Sequence, residues 1–348
     1  MDNRSFFEKA GEFFEPAFQG IGKINRCALL DYPYHTNLGD HFIWLGQVYY
    51  LKEIKLARIA YSAGFPDFSF KKLDGLGAGA PIFMSGGGNL GDLWPRYQKF
   101  RETIISRYRD RPILIFPQSI FFSNSETMKR TCDVFNSHPD LTLLVRESAS
   151  HEIAVRLFPN CKIFKALDAV FFLARFFEEL TKHALRRESM LFLCRRDKER
   201  NISFSSLSPD FKEWTVSDWP SVKYPQALSF RERFGWYRFF LLKQMEKEAN
   251  TADGKLELAG RIFDEPKERF SWQWTLRAVK QLVNRRFVVT DRLHGHILSL
   301  LLGIPNVLLP NSYHKNESFY KTWTQASPLC KFASSPAEVA SVVRKFLA

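Results

Sequence analysis

Short apolar runs alternate along the chain with longer stretches in which apolar residues recur at helical spacing. Runs at 27–30, 57–61, 81–84, 113–116, 141–145 and 162–164 read as strands, rich in β-branched and aliphatic residues. Parallel strands covered on both faces read this way. Helical periodicity predicts helices over 41–52, 96–109, 125–136 and from 148 to about 158. A Phe-rich amphipathic helix over 5–19 is expected to pack on the unit these elements form. Residues 63–79, rich in Gly, Asp and Lys, read as a surface connection. Strands regularly alternating with helices predict a doubly wound parallel sheet.

A charged segment at 174–189 interrupts the pattern, and a second set of elements follows. Strands are predicted at 190–194, 287–289 and 307–309, with helices over 231–248, 272–283 and 338–347. The expected organisation is an N-terminal domain over 1–175, a linker over 176–189 and a C-terminal domain over 190–330. A terminal helix in 331–348 is expected to pack back on the N-terminal domain. The length of 348 residues fits two domains.

The chain is organised around 290–316, TDRLHGHILSLLLGIPNVLLPNSYHKN. A buried strand leads into it, and Thr290 or Asp291 is placed to cap the next helix. Leu293, Ile297, Leu300 and Leu301 define an apolar face. Gly303 and Pro305 end the helix before another strand. Asp291, Arg292, His294 and His296 crowd the first turn, at the carboxyl end of a strand. Ligands bind at that edge in open α/β sheets, and a helix N-terminus there favours an anion.

Charge sharpens this picture. The net charge is +13, which points to an acidic partner such as a phosphorylated metabolite or an anionic membrane surface. No dense Lys/Arg block or aromatic–basic repeat is present, so nucleic acid is not the expected partner. Cys27, Cys132, Cys161, Cys194 and Cys330 lie far apart without C-x-x-C spacing. Cys27, Cys161 and Cys194 are expected to be small buried hydrophobes, and the set as a whole implies a reducing cytoplasm with no zinc site and no disulfide framework. The N-terminus is not read as a signal peptide, and no run approaches the ~18 apolar residues of a membrane span.

N-L-G-D occurs twice, at 37–40 and 89–92, each between a predicted strand and a predicted helix. Glycine permits close backbone approach, and Asn or Asp can cap a helix or bind a sugar hydroxyl. Gly86, Gly87 and Gly88 precede the second copy, and such a turn can hold a phosphate or simply be a tight βα turn. It lacks the Lys-Ser/Thr of a P-loop. Arg146, Arg195 and Arg196 follow strands and are candidate anion ligands, with a solvated charge run as the bland alternative. His35 and His41 read as satisfied polar residues. His294, with Arg292 and Asp291 beside it, reads as a general acid or base.

These residues resemble the polysaccharide pyruvyl transferases. The resemblance is carried by N-L-G-D at 37–40, G-G-G-N-L-G-D-L-W at 86–94, P-Q-S at 117–119 and R-E-S at 146–148. Asp168, R-x-D-K-E at 195–199, D-R-L-H-G-H-I-L-S-L-L-L-G-I-P at 291–305 and N-S-Y at 311–313 continue it, in the family's order. Pro310 stands where such members often carry an acid, and His314 replaces a usual Gly. The resemblance implies an α/β fold of two Rossmann-like domains facing a cleft, GT-B-like. It also implies transfer of a pyruvyl group from phosphoenolpyruvate to two hydroxyls of one sugar in a bacterial polysaccharide repeat unit, as a cyclic ketal. Phosphoenolpyruvate is then a co-substrate, and neither a metal nor another cofactor is expected. His294 is expected as the acid/base and Asp40 as a base for the hydroxyl. Arg292, Arg195, Arg196 and Arg146 are expected to bind phosphoenolpyruvate. Asn37, Gly86, Gly87, Gly88, Asn89, Asp92 and Asp291 are expected to line the acceptor side. The acceptor is expected to be lipid-linked, at the inner face of the cytoplasmic membrane, where positive charge assists retention. Two rivals fit the same pattern: a glycosyltransferase using a nucleotide sugar, and a non-catalytic subunit of a polysaccharide assembly complex.

Overall fold

The computed structural model describes residues 3–35, 37–181, 189–196, 214–219, 257–313 and 315–347. Among them two parallel sheets are present. The first contains β1 (Arg26–Leu30), β2 (Arg58–Ala63), β3 (Ile82–Met84), β4 (Gly87–Gly91), β5 (Ile113–Phe121), β6 (Leu141–Val145) and β7 (Lys162–Lys165). The second contains β8 (Ser189–Leu193), β9 (Trp214–Ser217), β10 (Arg285–Thr290), β11 (Asn306–Leu308) and β12 (Cys330–Phe332). The helices, in chain order, are α1 (Asn3–Gln19), α2 (Leu38–Tyr49), α3 (Phe70–Asp74), α4 (Pro95–Arg107), α5 (Ser125–Ser137) and α6 (Ser148–Leu157). They continue with α7 (Ala174–Thr181), α8 (Glu257–Ile262), α9 (Pro266–Leu282), α10 (Leu293–Leu301), α11 (Lys315–Phe319) and α12 (Pro336–Leu347).

The strand order of the first sheet is β2-β1-β3-β5-β6-β7, with β4 pairing separately with β5. That of the second is β12-β11-β10-β8-β9. In each, the chain adds a strand on one side of the first strand and then crosses to the other side. The order therefore reverses between β1 and β3, and again between β8 and β10. A crevice opens at such a switch point, beyond the carboxyl ends of the strands. Asp31 and Ser85 follow the strands at the first switch point; Arg195 and Asp291 follow those at the second.

Two helices bring these edges together. Every residue of α2 except Asp40 is buried, as is every residue of α10. A helix buried on nearly all sides belongs in a core, where its polar groups need partners. The apolar face expected from Leu293, Ile297, Leu300 and Leu301 is thus only part of what α10 buries. One cluster of buried side chains runs from Phe6 and Phe14 of α1 through Phe42 and Trp44 of α2 to Leu193, Ile297 and Trp323. Helix α1 packs Phe14 against Phe172 and Tyr50, as its amphipathic pattern predicts, and also sets Phe13 edge-on to Trp323.

The structure departs from the sequence reading in several places. The turn expected over 85–92 contains a strand, β4, paired with β5. Gly91 has φ 123°, and a Cβ there would lie 1.8 Å from the Phe121 carbonyl oxygen, so only glycine fits that register. The two N-L-G-D copies are consequently not equivalent: the first enters a helix, whereas Asn89, Leu90 and Gly91 of the second lie in a strand. The connection at 63–79 contains a 3-10 turn, Phe65–Asp67, and α3, which buries Leu73. Helix α12 does not return to the first sheet. Its Val339 and Val343 join Phe287, Val289 and Val307 under the second, the nearest apolar surface matching their stripe. The helix expected over 231–248 lies outside the described residues, as do 182–188 of the expected linker.

Asp31 ends β1 in a left-handed conformation, φ 69°, and is 4% exposed. Its Oδ2 accepts from Arg101 Nη2 at 3.4 Å and Asn89 Nδ2 at 3.5 Å, while Oδ1 has no hydrogen-bond partner. Burial pushes the carboxyl up to about 6, against the pull of Arg101 and Asn89. A carboxyl raised in the folded state favours folding while protonated, and that advantage is lost as pH rises from about 4 through about 6. Asn copies the protonated form and tolerates this backbone. Asp31→Asn is therefore expected to gain up to about 3 kcal/mol at pH 8 and almost nothing at pH 4, as read by urea unfolding at the two pH values.

Candidate functional site

A cavity of about 270 Å³ lies where the two strand-end edges meet. From the first sheet's side it is lined by His35, Asn37, Asp40, Gly88, Asn89 and Arg146, with Trp94 and Tyr97. From the second sheet's side come Arg195, Trp219, Arg292, Leu293, His294 and Lys315. Asp40 is the sole carboxylate among the described lining residues, set against three arginines and a lysine, so the cavity is cationic.

The acidic corner is built at the start of α2. Asn37 precedes the helix but makes no side-chain cap. Its Nδ2 instead donates to Asp40 Oδ2 at 2.8 Å, and His35 Nε2 lies 3.4 Å from the same oxygen. Burial lowers the pKa of His35, opposed by Asp40. Asp40 is thus held by its neighbours yet faces the cavity.

His294 sits in the first turn of α10. Its Nε2 is 3.3 Å from Asp168 Oδ2, which also accepts from Arg146 Nη1 at 2.7 Å. Asp168 Oδ1 accepts from the Val170 amide at 3.1 Å. Burial alone would raise this carboxyl, but His294, Arg146 and the amide outweigh it and hold it down at about 2. Asp168, after β7, therefore fixes a histidine from the other sheet. The ring's other face is fixed by Gly39: a Cβ there would lie 2.1 Å from His294 Nδ1. The glycine of the first N-L-G-D is needed for close approach, and what approaches is His294.

The other cations are individually oriented. Arg292 makes a two-pronged pair with Asp218, Nε to Oδ1 and Nη2 to Oδ2 at 2.7 Å. The Arg195 amide donates to Asp291 Oδ1 at 2.8 Å. Burial pushes Asp291 up to about 6, opposed by that amide and by the charges of Arg195 and Arg292. Arg146 Nε donates to Ser119 Oγ at 2.8 Å. Lys315 Nζ is 2.5 Å from the Tyr313 hydroxyl, and a Cβ on Gly88 would lie 3.4 Å from it.

Of the residues expected at the site, the cavity collects Asn37, Asp40, Gly88, Asn89, Arg146, Arg195, Arg292 and His294. Others lie behind or away from it. Gly86 lets β3 run close to the Pro117 carbonyl oxygen, 2.6 Å from where its Cβ would be, and Gly87 begins β4. Asp92 accepts from the amides of Ser123 and Asn124, each at 2.6 Å, and so ties down the loop before α5. Asp291 supports Arg195 from below and does not cap α10, whose first turn has no side-chain cap. Exposed Arg196 donates its amide to Asp218 at 3.1 Å. His41 and His296 are fully buried structural groups. His41 bonds Ser271 and the His35 carbonyl; His296 bonds Asn306 and Thr324. Burial lowers them to about 3 and about 4. Lys315, Tyr97, Trp94 and Trp219 were not anticipated, nor was the cavity-facing position of His35. Asp197–Glu199 and His314 lie outside the described residues.

A sequence model of the polysaccharide pyruvyl transferase family matches residues 37–313, a span that includes both sides of this cavity. The chain belongs to that family. EpsO of Bacillus subtilis (strain 168), named as a pyruvyl transferase, is 32% identical over 310 residues, 88% of each chain. Pyruvyl transferase 1 of Schizosaccharomyces pombe is 26% identical over 336 residues, covering 91% of this chain and 73% of that one. A functionally uncharacterized protein of Klebsiella pneumoniae shares the fold, with a TM-score of 0.57 at 18% identity, over 94% of this chain and 99% of that one. In this pyruvyl transferase family member, a histidine oriented by a buried carboxylate thus stands among cations.

Two outcomes follow from that geometry. A carboxyl depressed to about 2 stabilises the fold above the ordinary Asp range, and that stabilisation is lost as pH falls from about 4 towards about 2. Asp168→Asn is expected to cost roughly 2–3 kcal/mol at pH 7, with the gap from wild type closing over that acid window in denaturant titrations. Gly39→Ala is expected to leave a folded protein with transfer slowed by about 100-fold, because the ring of His294 must shift by an ångström or so. Unfolding midpoint and turnover, measured together, check this.

Proposed function

We propose that the protein transfers the pyruvyl group of phosphoenolpyruvate to two hydroxyls of one sugar in a bacterial polysaccharide repeat unit, releasing phosphate. The observation that carries this is His294, oriented by Asp168 in a cavity with the cations Arg146, Arg195, Arg292 and Lys315. Phosphoenolpyruvate brings a phosphate and a carboxylate. Arginine forks match both, and fixed cations stabilise charge as it develops.

In this reading His294 delivers a proton to the methylene carbon, making C2 electrophilic. A sugar hydroxyl adds to C2 and gives its proton to Asp40, which Asn37 and His35 position. The bond from C2 to the phosphate oxygen then breaks and phosphate leaves. The second hydroxyl closes the ketal at C2 and gives its proton to His294, which is thereby restored, while the proton on Asp40 leaves with the phosphate or to water. Asn37 and Asn89 offer hydrogen bonds to the acceptor, and Trp94 and Tyr97 give it a partly apolar wall. The donor side is thus the second sheet and the acceptor side the first, a GT-B-like division across residues 1–175 and 190–330. We further infer a cytoplasmic protein acting on a lipid-linked acceptor, with the charge of +13 favouring an anionic membrane surface.

Phosphate release from phosphoenolpyruvate, with methyl galactoside, glucoside and mannoside as acceptors, tests the reading. Wild type should release phosphate only when a suitable acceptor is present. His294→Ala should reduce the rate by roughly 10²–10⁴-fold. Consumption of a nucleotide sugar with no release from phosphoenolpyruvate would overturn the proposal in favour of a glycosyltransferase.

A further inference from the structure

Beside the cationic cavity lies a second one of about 500 Å³. It runs between the end of β5, the first turns of α6, and Tyr313 with α11. The two are adjoining: Lys315 lines both, and its Tyr313 partner faces the second. Tyr313 also reaches towards the first sheet's glycine turn, its hydroxyl 3.5 Å from where a Cβ of Gly88 would be. The Lys315–Tyr313 pair is therefore the partition between the cavities.

Their chemistry differs. The second cavity sets Lys315 and Lys321 against Glu147, Glu152 and Glu317, so its described lining has no excess of positive charge. Lys321 is moreover paired with Glu317 at 2.7 Å. A phosphate or pyrophosphate finds no built cation site there. The cavity has aromatic surface, with the rings of Phe121 and Tyr313 5.1 Å apart at 47°, and hydroxyls of Ser148, Ser318 and Thr322 that already tie the first turn of α6 to the α11 side and keep acceptor capacity to spare. Apolar faces interspersed with a few carboxylates and hydroxyls suit a neutral polyhydroxylated ligand.

We propose that this second cavity is a subsite for the saccharide units flanking the sugar that reacts. This rests on the reading of the first cavity as the site of pyruvyl transfer. The chain of an oligosaccharide acceptor leaves the cationic cavity past Lys315 and Tyr313 and lies along α6. The enzyme then selects a sugar in the context of its neighbours, and a free monosaccharide binds through one cavity only.

Ala149 is exposed at the edge of this cavity, in the first turn of α6, so a large side chain there fills the groove without entering the core. The experiment compares a methyl hexoside with a trisaccharide ending in the same hexose, in phosphate release by wild type and Ala149→Trp. Wild type should favour the trisaccharide by about tenfold in kcat/KM. Ala149→Trp should abolish that preference by raising the trisaccharide KM, leaving the methyl hexoside and phosphoenolpyruvate constants unchanged. Equal use of both acceptors by wild type, or a preference that survives the tryptophan, overturns the subsite. If Ala149→Trp loses activity with the methyl hexoside as well, the milder Glu152→Ala decides. A reduced trisaccharide preference supports the subsite, and an unchanged one sinks it. Absence of phosphate release with every acceptor is a failure of the transfer reading instead. The subsite is then decided by line broadening of the trisaccharide's proton resonances: broadening by wild type but not by Ala149→Trp supports it, and any other pattern overturns it.

Discussion

A carboxylate that is 1% exposed stays ionised only if donors replace the water it has lost. Asp168 has three: Arg146 from the sheet that carries it, the Val170 amide just beyond it, and His294 from the opposite sheet. The cost of burying that charge is what gives the site its geometry. Remove any donor and the remaining charge is under-solvated, so the arrangement in which all three converge is strongly preferred. A histidine 126 residues away in the chain is thereby fixed against the first sheet, with its ring lying where Gly39 leaves room. The relative placement of the two strand-end edges and the orientation of His294 are one constraint.

The sheet topology explains why a site can exist there. In both sheets the chain reverses direction around the first strand, so helices diverge to either face and leave a crevice at the strand ends. Side chains placed just after β8 and β10 (Arg195, Asp291, Arg292) project from one such crevice. From the first sheet, Asn89 of β4 and Arg146 after β6 line the same cavity. Helices α2, buried except at Asp40, and α10 each present their N-terminal turn to the same cavity. Asp40, the one residue of α2 that is not buried, is the one that reaches it.

What the sequence revealed, and what it withheld, follow from the range of each interaction. Strands β1, β3, β6, β8 and β10 were legible because strands covered on both faces are continuous apolar runs. The strand-end residues Arg146, Arg195, Arg292 and His294 were legible because position after such a run implies position at a crevice. The partners were not. Nothing local joins His294 to Asp168, or Arg292 to Asp218, and the nearest acid in sequence, Asp291, proved to support Arg195 instead. Strand β4 was hidden for a different reason: Gly87–Gly91 has no strand propensity of its own and is held by pairing with β5. Lys315 was hidden because its place at the cavity is set by its neighbour Asn316, whose side-chain amide is bonded to the carbonyls of Asp291 and Leu309. The resemblance of short motifs in order carried more than any one of them, because it sampled both edges of the cavity at once.

The acids around the cavity are not equivalent, and the difference sets the field inside it. Asp168 is held at about 2 and spends its charge on Arg146 and His294. Asp31 and Asp291, one behind each switch point, are pushed by burial to about 6 and so carry less than a full charge over the mildly acidic range. Fully ionised acids in those positions would cancel more of the field from Arg195, Arg292 and Lys315. Burial thus performs two tasks with one residue type. Where donors converge, it yields an anion that orients; where they are sparse, it yields a carboxyl that supports the backbone and, only below about pH 6, subtracts little from the positive potential. Under the proposed function, a cavity whose described lining holds one carboxylate and several cations would suit a small dianionic donor beside a neutral acceptor, with Asp40 as the acceptor of the hydroxyl proton.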